Sequence, residues 1–371
     1  MFAGLLSAQF ALAGDDASGA RPGAGAPVLE WKPVLQIRMG MEGGSAEGDA
    51  GSYVISGRVG LDAERKALHM RMSLAETASW SLSGVATTSV PTLGEAWVRW
   101  SPPISSALAL ELTGGIQPIE WDSGAVLGDD DIRLRGSFPA AARLRFRAAP
   151  WELDVVSGLA ASESGTLPFH GVRLGAGRDN PAAAWSANGV LLVVESAGDP
   201  LITGGVAAAT SLGRLRASAD GYLQPTTSGS ATMAGAQVGW ALGDDARVLV
   251  AGRLDWLGGG DSPAFQRPLA DTYQRFGWLG LFDDGAEYGG SGSLDASLIT
   301  EAMIAPQLRC AVALHHLWTA PSEPLGAELD ADLRWFVSPL AALHLRGGAL
   351  LPWSERTEVA IQGAVTIDAA L

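Results

Sequence analysis

The chain has 371 residues, of which 47 % are hydrophobic and only 18 % charged, with 48 Gly and a formal net charge of −15. A soluble domain of this size carries about a quarter charged residues, and no stretch reaches the roughly 18 consecutive apolar residues of a spanning helix; the acidic balance also argues against general nucleic-acid binding. The lone cysteine, Cys310, excludes an intrachain disulfide and a cysteine metal cluster, which leaves a closed barrel of strands as the way for so apolar a chain to satisfy its backbone in lipid.

In chain order, Met1 to Ala13 is a short apolar run ending in the small-x-small site Ala11-Leu12-Ala13. It reads as a signal peptide over residues 1–13. No basic segment precedes it, so the true start is expected upstream. Residues 14–27 form a Gly/Ala/Asp/Pro linker, and 28–371 are assigned to one β-barrel. There the hydrophobic period is two. Leu35, Ile37 and Met39 alternate with Gln36 and Arg38; Leu68, Met70, Met72 and Leu74 alternate with His69, Arg71 and Ser73. Leu144 and Phe146 sit between Arg143, Arg145 and Arg147. Leu329, Leu333 and Trp335 oppose Glu328, Asp330, Asp332 and Arg334. Alternation of this kind puts one set on each face of a strand.

Short polar or Pro turns are predicted at Asp62–Lys66, Ser101–Ser106, Ala148–Pro150, Arg178–Ala182, Ser211–Gly213, Leu242–Ala246, Ala305–Pro306 and Val337–Pro339. Long Gly/Ser/Asp loops fall at Met41–Gly51, Thr77–Thr92, Gln117–Pro139 and Gly258–Gly290. Short turns on one rim and long loops on the other are the outer-membrane pattern. The fold class is therefore all-β: a transmembrane antiparallel up-and-down β-barrel of about 18 strands, or about 16 if a turn is miscounted. The last strand, Thr357 to Leu371, keeps strict alternation, with Leu371 where such barrels usually end in an aromatic residue. Tryptophans at strand ends (Trp31, Trp80, Trp100, Trp151, Trp240, Trp256, Trp318, Trp353) suit the aromatic girdles of a membrane barrel. A soluble β-sandwich would alternate too, but loses on the turn asymmetry.

Three stretches resemble the alginate-export family of outer-membrane β-barrels. The first is Glu111 to Gln117 with the loop Pro118 to Asp131, similar to a family strand that ends in Gly-Arg-Gln before a Gly/Asp-rich loop. The second is Thr272 to Phe282. The third is Gly326 to Asp330, followed by Val337 to Leu340 and the strand to Pro352. The resemblance covers roughly residues 95–371. It implies an 18-stranded monomeric pore that exports an anionic polysaccharide through an arginine-lined lumen, with Gly115, Gln117 and Asp330 as the family-like positions. Ile116 departs from the triplet's arginine.

Parity assigns about 16 Lys/Arg and about 14 Asp/Glu to the lumen. Most other acids fall in loops, among them Glu120, Asp122, Asp129, Asp130, Asp131, Asp261, Asp271, Asp283, Asp284 and Glu287, and read as external. Arg99, Arg143, Arg145, Arg147, Arg214, Arg216, Arg247, Arg309 and Arg334 lie within a few residues of short turns and predict a basic zone at the inner mouth. Rings of arginine select anions by charge-assisted hydrogen bonds. Alternatively, they pair across strands with Glu95, Glu152, Asp154, Glu301 and Asp332. Of the five histidines, none shows a helix-type metal spacing, and His315 and His316 point to opposite faces. A lipid hydrolase on the outer face would have His316 on the lipid-facing parity, but no Gly-x-Ser-x-Gly motif accompanies it. The expectation is a non-enzymatic pore without metal or cofactor, for small or anionic solutes, with outer-membrane lipid and the barrel-assembly machinery as partners. The other reading is a structural or adhesion barrel whose loop 258–290 plugs the lumen.

Overall fold

A computed structural model describes residues 30–42, 52–81, 86–88, 92–122, 125–128, 138–162, 165–178, 183–195, 199–227, 229–243, 247–258, 265, 269, 292–319, 323–338, 341–353 and 360–369. The stretches read as signal peptide and linker, the segment Thr272–Phe282 and most of the loop 258–290 lie outside them.

Nineteen strands follow in chain order among the described residues. They are β1 (Glu30–Glu42), β2 (Ser52–Arg65), β3 (Leu68–Ser81), β4 (Ala86–Thr88), β5 (Thr92–Trp100), β6 (Leu108–Ile116), β7 (Ala140–Ala148), β8 (Trp151–Ser162), β9 (Gly165–Arg178) and β10 (Ala183–Val194). Then come β11 (Leu201–Leu212), β12 (Leu215–Thr226), β13 (Gly229–Leu242), β14 (Val248–Leu257), β15 (Ser293–Ala305), β16 (Leu308–Thr319), β17 (Glu323–Ser338), β18 (Ala341–Pro352) and β19 (Ala360–Ala369). Each long strand pairs antiparallel with the next. β4, three residues long, only caps the end of β3. The remaining eighteen match the predicted number, and β1 lies beside β19, bringing the sheet round on itself. The strand ends that flank all eight predicted short turns lie on one rim. Several strands run a residue or two into the predicted turns, and the first differs most: β2 runs through Asp62 to Arg65, and the turn is Lys66-Ala67, where Lys66 takes φ 52°. Asp62 stays in the strand because Arg71 of β3, opposite it, holds its carboxylate at 2.8 Å.

Burial is inverted relative to a water-soluble protein. In β13, Ala231 and Met233 are buried, while Val238, Trp240 and Leu242 are 59 %, 50 % and 44 % exposed. The inward positions of other strands carry buried charge instead: Glu95, Asp154, Asp255, Asp295, Glu328 and Asp330 are all under 5 % exposed. A sandwich would bury the apolar face; a barrel in lipid turns it outward. Trp31, Trp100, Trp151, Trp185, Trp240 and Trp335 ring the outer face near the short-turn rim, and Trp256 and Trp353 stand near the other. Two girdles are what two lipid–water interfaces require.

Candidate functional site

Alternation brings an arginine ladder to the lumen face of β7, because every second residue from Arg143 to Arg147 is arginine. The register sets it against the acids of β6 and β8: Arg145 lies opposite Glu111 and Asp154, and Arg147 opposite Glu152. Arg143 donates from Nε and Nη2 to Asp154 at 2.9 and 2.6 Å. Arg145 reaches Glu111 at 3.4 Å, Glu152 at 3.7 Å and Asp154 at 3.9 Å. Arg147, half exposed, donates to Glu152 at 3.1 Å. Arg99 of β5 shares Glu111 at 3.5 Å and stacks over Trp97. Arg58 and Arg71 meet at Glu95, at 3.0 and 3.6 Å. The charges are thus paired across strands, with Arg145 and Arg147 held loosely and Arg143 tightly.

The connection from β6 to β7 turns into the bore. Ile119, Trp121, Ala125, Val126 and Leu127 are each at most 4 % exposed. Trp121 and Leu127 form an antiparallel bridge, with Trp121 N–H donating to Leu127 O at 2.8 Å. Apolar residues in a Gly/Asp-rich loop fold inward when they have a wall to pack on, and the wall here is apolar too. Phe169, Val190, Leu192, Tyr222, Met233, Leu257, Leu317 and Leu350 face inward near the long-loop rim and join the loop in one buried cluster. Trp121 Nε1 donates to Asp154 at 2.9 Å. Asp122, in the left-handed region at φ 53°, accepts from Arg173 at 3.4 Å and from the Tyr222 hydroxyl at 3.1 Å. The expected external position of Asp122 is therefore corrected: two lumen donors pull it inside, and Glu120 alone of this pair stays exposed. Gly128 N–H donates to Leu269 O at 2.8 Å, so the loop after β14 meets the loop after β6, with buried Phe265 beside them.

On the opposite wall, Arg253 donates to Asp255 at 3.0 Å. His315 has a carboxylate at each ring nitrogen, Asp295 at 2.7 Å and Asp330 at 3.4 Å. His316 turns outward, as parity predicts, and stacks on Trp318 at 3.7 Å. Among the described residues no group of three or more His, Cys, Asp or Glu is placed to hold a metal ion.

The other predicted positions scatter. Arg309 and Arg334 are directly opposed and share the Phe336 ring, at 5.4 and 5.0 Å. Arg216 donates to the Gly213 carbonyl at 2.6 Å in its own turn. Arg214 and Arg247 lie at turns, where their carbonyls accept from Ala241 and Met303. Of the family-like positions, Gly115 has φ +123°, Gln117 donates from its side chain to Ala141 O at 2.9 Å, and Asp330 serves His315. These are structural roles at two separate places, since Ala141 lies opposite Gly115 in the register. Arg58, Arg71 and Arg173 join the lumen ladder without having been singled out, though their alternation with apolar neighbours carried the signal.

No family model matches the chain, and no curated protein does. Its fold is that of the OccK/Opd outer-membrane porin barrels of Pseudomonas aeruginosa. OccK1 (OpdK) is 12 % identical with a TM-score of 0.63, over 92 % of this chain and 98 % of that one. OccK2 (OpdF), solved in complex with glucuronate, is 11 % identical with a TM-score of 0.63 over the same shares. OpdK with vanillate gives 12 % and 0.63, again over 92 % and 98 %. Likeness at such identities is likeness of fold, and it lends no particular support to the alginate-export family.

Proposed function

We propose that this chain is a monomeric outer-membrane porin that passes small anionic solutes. The observation that carries the reading is the ladder of Arg143, Arg145 and Arg147 on the lumen face of β7, continued by Arg173 and Arg99 on neighbouring strands. Arg145 and Arg147 sit at 3.1–3.9 Å from shared carboxylates, so a passing carboxylate exchanges places with Glu111 or Glu152 at little cost. The fold relatives solved with glucuronate and with vanillate held carboxylates. The predicted basic zone is kept as part of this proposal: Arg99, Arg143, Arg145 and Arg147 form its lumen arm, and Arg214, Arg216, Arg247, Arg309 and Arg334 its rim. Export of a polysaccharide is disfavoured, because a polymer would have to pass the inward loop and its apolar cluster. Outer-membrane lipid covers the apolar belt, and insertion requires the assembly machinery that serves such barrels.

A second reading rests on that same cluster. Loop and wall residues fill part of the bore with close-packed apolar side chains, as a barrel plugged for a structural role would. Conductance of the refolded chain in a planar bilayer, under a salt gradient, separates the two. Open steps with anion preference support the porin; a folded barrel without steps supports the plug. Neutralising Arg145 and Arg147 together to Gln is expected to abolish most of the anion preference while keeping the barrel folded. Unchanged selectivity in that double variant would sink the proposed role of the ladder.

A further inference from the structure

A second polar constellation lies on the outside of the barrel, away from the lumen. Parity sends Ser157 of β8 and His170 of β9 to the outer face, the face that carries exposed Leu159, Val172 and Leu174. The register sets Ser157 directly opposite His170. Ser157 Oγ lies 2.9 Å from His170 Nδ1. The other ring nitrogen, Nε2, lies 3.3 Å from Glu195 Oε1. Glu195 follows β10, and its N–H donates to Pro168 O at 2.8 Å, which fixes it beside β9 on the side of the long-loop rim. Polar side chains on a lipid face are costly and usually functional. Ser157 is not simply a rim residue, since Leu159, 48 % exposed, stands nearer the rim on the same face. A serine, a histidine and a carboxylate, each within reach of the next, are the parts of an activated nucleophile.

We propose that Ser157, His170 and Glu195 form a hydrolase site for the acyl esters of membrane lipids. Glu195 accepts a hydrogen bond from His170 Nε2–H, which fixes the tautomer and leaves Nδ1 as the base. Ser157 gives its hydroxyl proton to Nδ1 as Oγ attacks the ester carbonyl carbon. The adduct collapses, the bond from carbon to the lipid alcohol oxygen breaks, and His170 returns the proton to that oxygen. Water then attacks the acyl-serine, gives its proton to Nδ1 and releases the fatty acid as the proton passes back to Ser157 Oγ. One ester and one water yield one acid and one alcohol, with no redox change.

Membrane lipid is the substrate class because the site opens only on the apolar belt. Gly114, Ala142, Ser157 and His170 run in register across β6 to β9. A Cβ at Gly114 would meet nothing within 4 Å. Gly114 and Ala142 therefore leave a shallow depression on the side of Ser157 away from His170, along which an acyl chain can lie. None of the three site residues belongs to the lumen ladder, so the proposal stands or falls separately from the pore.

The test uses the full barrel, refolded in detergent and shown to be folded by heat-modifiable gel migration. A fluorophosphonate probe is expected to label Ser157, located by peptide mass spectrometry. Ser157→Ala removes the label. His170→Ala slows labelling about 100-fold or more, and Glu195→Gln slows it too, because the tautomer that leaves Nδ1 as the base is no longer held. A merely structural polar cluster would give no serine label to lose. Vesicles of diacyl phospholipid and micelles of lipopolysaccharide identify the lipid: fatty acid released from either, and lost in Ser157→Ala, supports the site. A folded wild-type barrel with no label on Ser157 and no fatty acid from either lipid overturns it. Bilayer conductance of Ser157→Ala is expected to match wild type.

Discussion

At the scale of single residues, two glycines make the constriction possible. A Cβ at Gly171 would lie 2.6 Å from the Trp121 ring, and one at Gly205 would lie 2.1 Å from the Tyr222 ring. Both glycines face the bore, and each vacates the space that a ring then fills. Gly171→Val is expected to push Trp121 off its hydrogen bond to Asp154 and raise single-channel conductance; an unchanged step size would show that Trp121 does not narrow the path. The arginines separate by burial in the same way. Arg143, 9 % exposed, holds an Asp154 that is 1 % exposed. Removing one partner of a buried pair costs about 3–5 kcal/mol, so Arg143→Ala should lower unfolding stability by that order. Arg147→Ala, whose side chain is 51 % exposed, should change it by less than about 1 kcal/mol. Each arginine was legible in the sequence, and so were candidate partners such as Glu152 and Asp154; which arginine meets which acid was not, because Arg143 and Asp154 are joined by a hairpin register that composition does not encode. The same limit hid Ser157, His170 and Glu195, which stand on two strands and just past the end of a third and share no local motif.

At the scale of elements, the strands were the legible part. A residue between lipid and lumen has two fixed environments, so period-two alternation marks a strand wherever its lumen face is polar, and is lost in stretches such as Val190 to Val194, where both faces are apolar. The short turns were legible because Pro, Gly and Asp punctuate them. Asp62 misled because acidic residues also read as turn, and only Arg71 across the ladder keeps it in β2. The loop from β6 to β7 was harder. Its Gly and Asp content said exterior, while Ile119, Trp121, Val126 and Leu127 said interior, and the apolar wall decided for the interior. Asp122→Ala removes the acceptor for both Arg173 and Tyr222. It is expected to make the open current noisier, with more frequent transitions between levels, while leaving heat-modifiable migration intact. A quiet current identical to wild type would mean that packing alone holds the loop.

At the scale of the whole molecule, the outer face sets stability. Leu298 lies mid-strand in β15 and is 53 % exposed on the lipid side. Arg near the bilayer midplane costs about 2–4 kcal/mol, so Leu298→Arg should lower denaturant stability in vesicles by that amount; a soluble protein would scarcely notice the change. The connection at Gly128 and Leu269 has a consequence of a different kind. Those two loops leave the wall on either side of the bore, with eight long strands between them one way and ten the other. A thin-walled tube ovalises easily when squeezed, and a spoke across its diameter stops it. Cutting that spoke should soften the ring as a whole, and amide exchange would quicken in strands far from the cut.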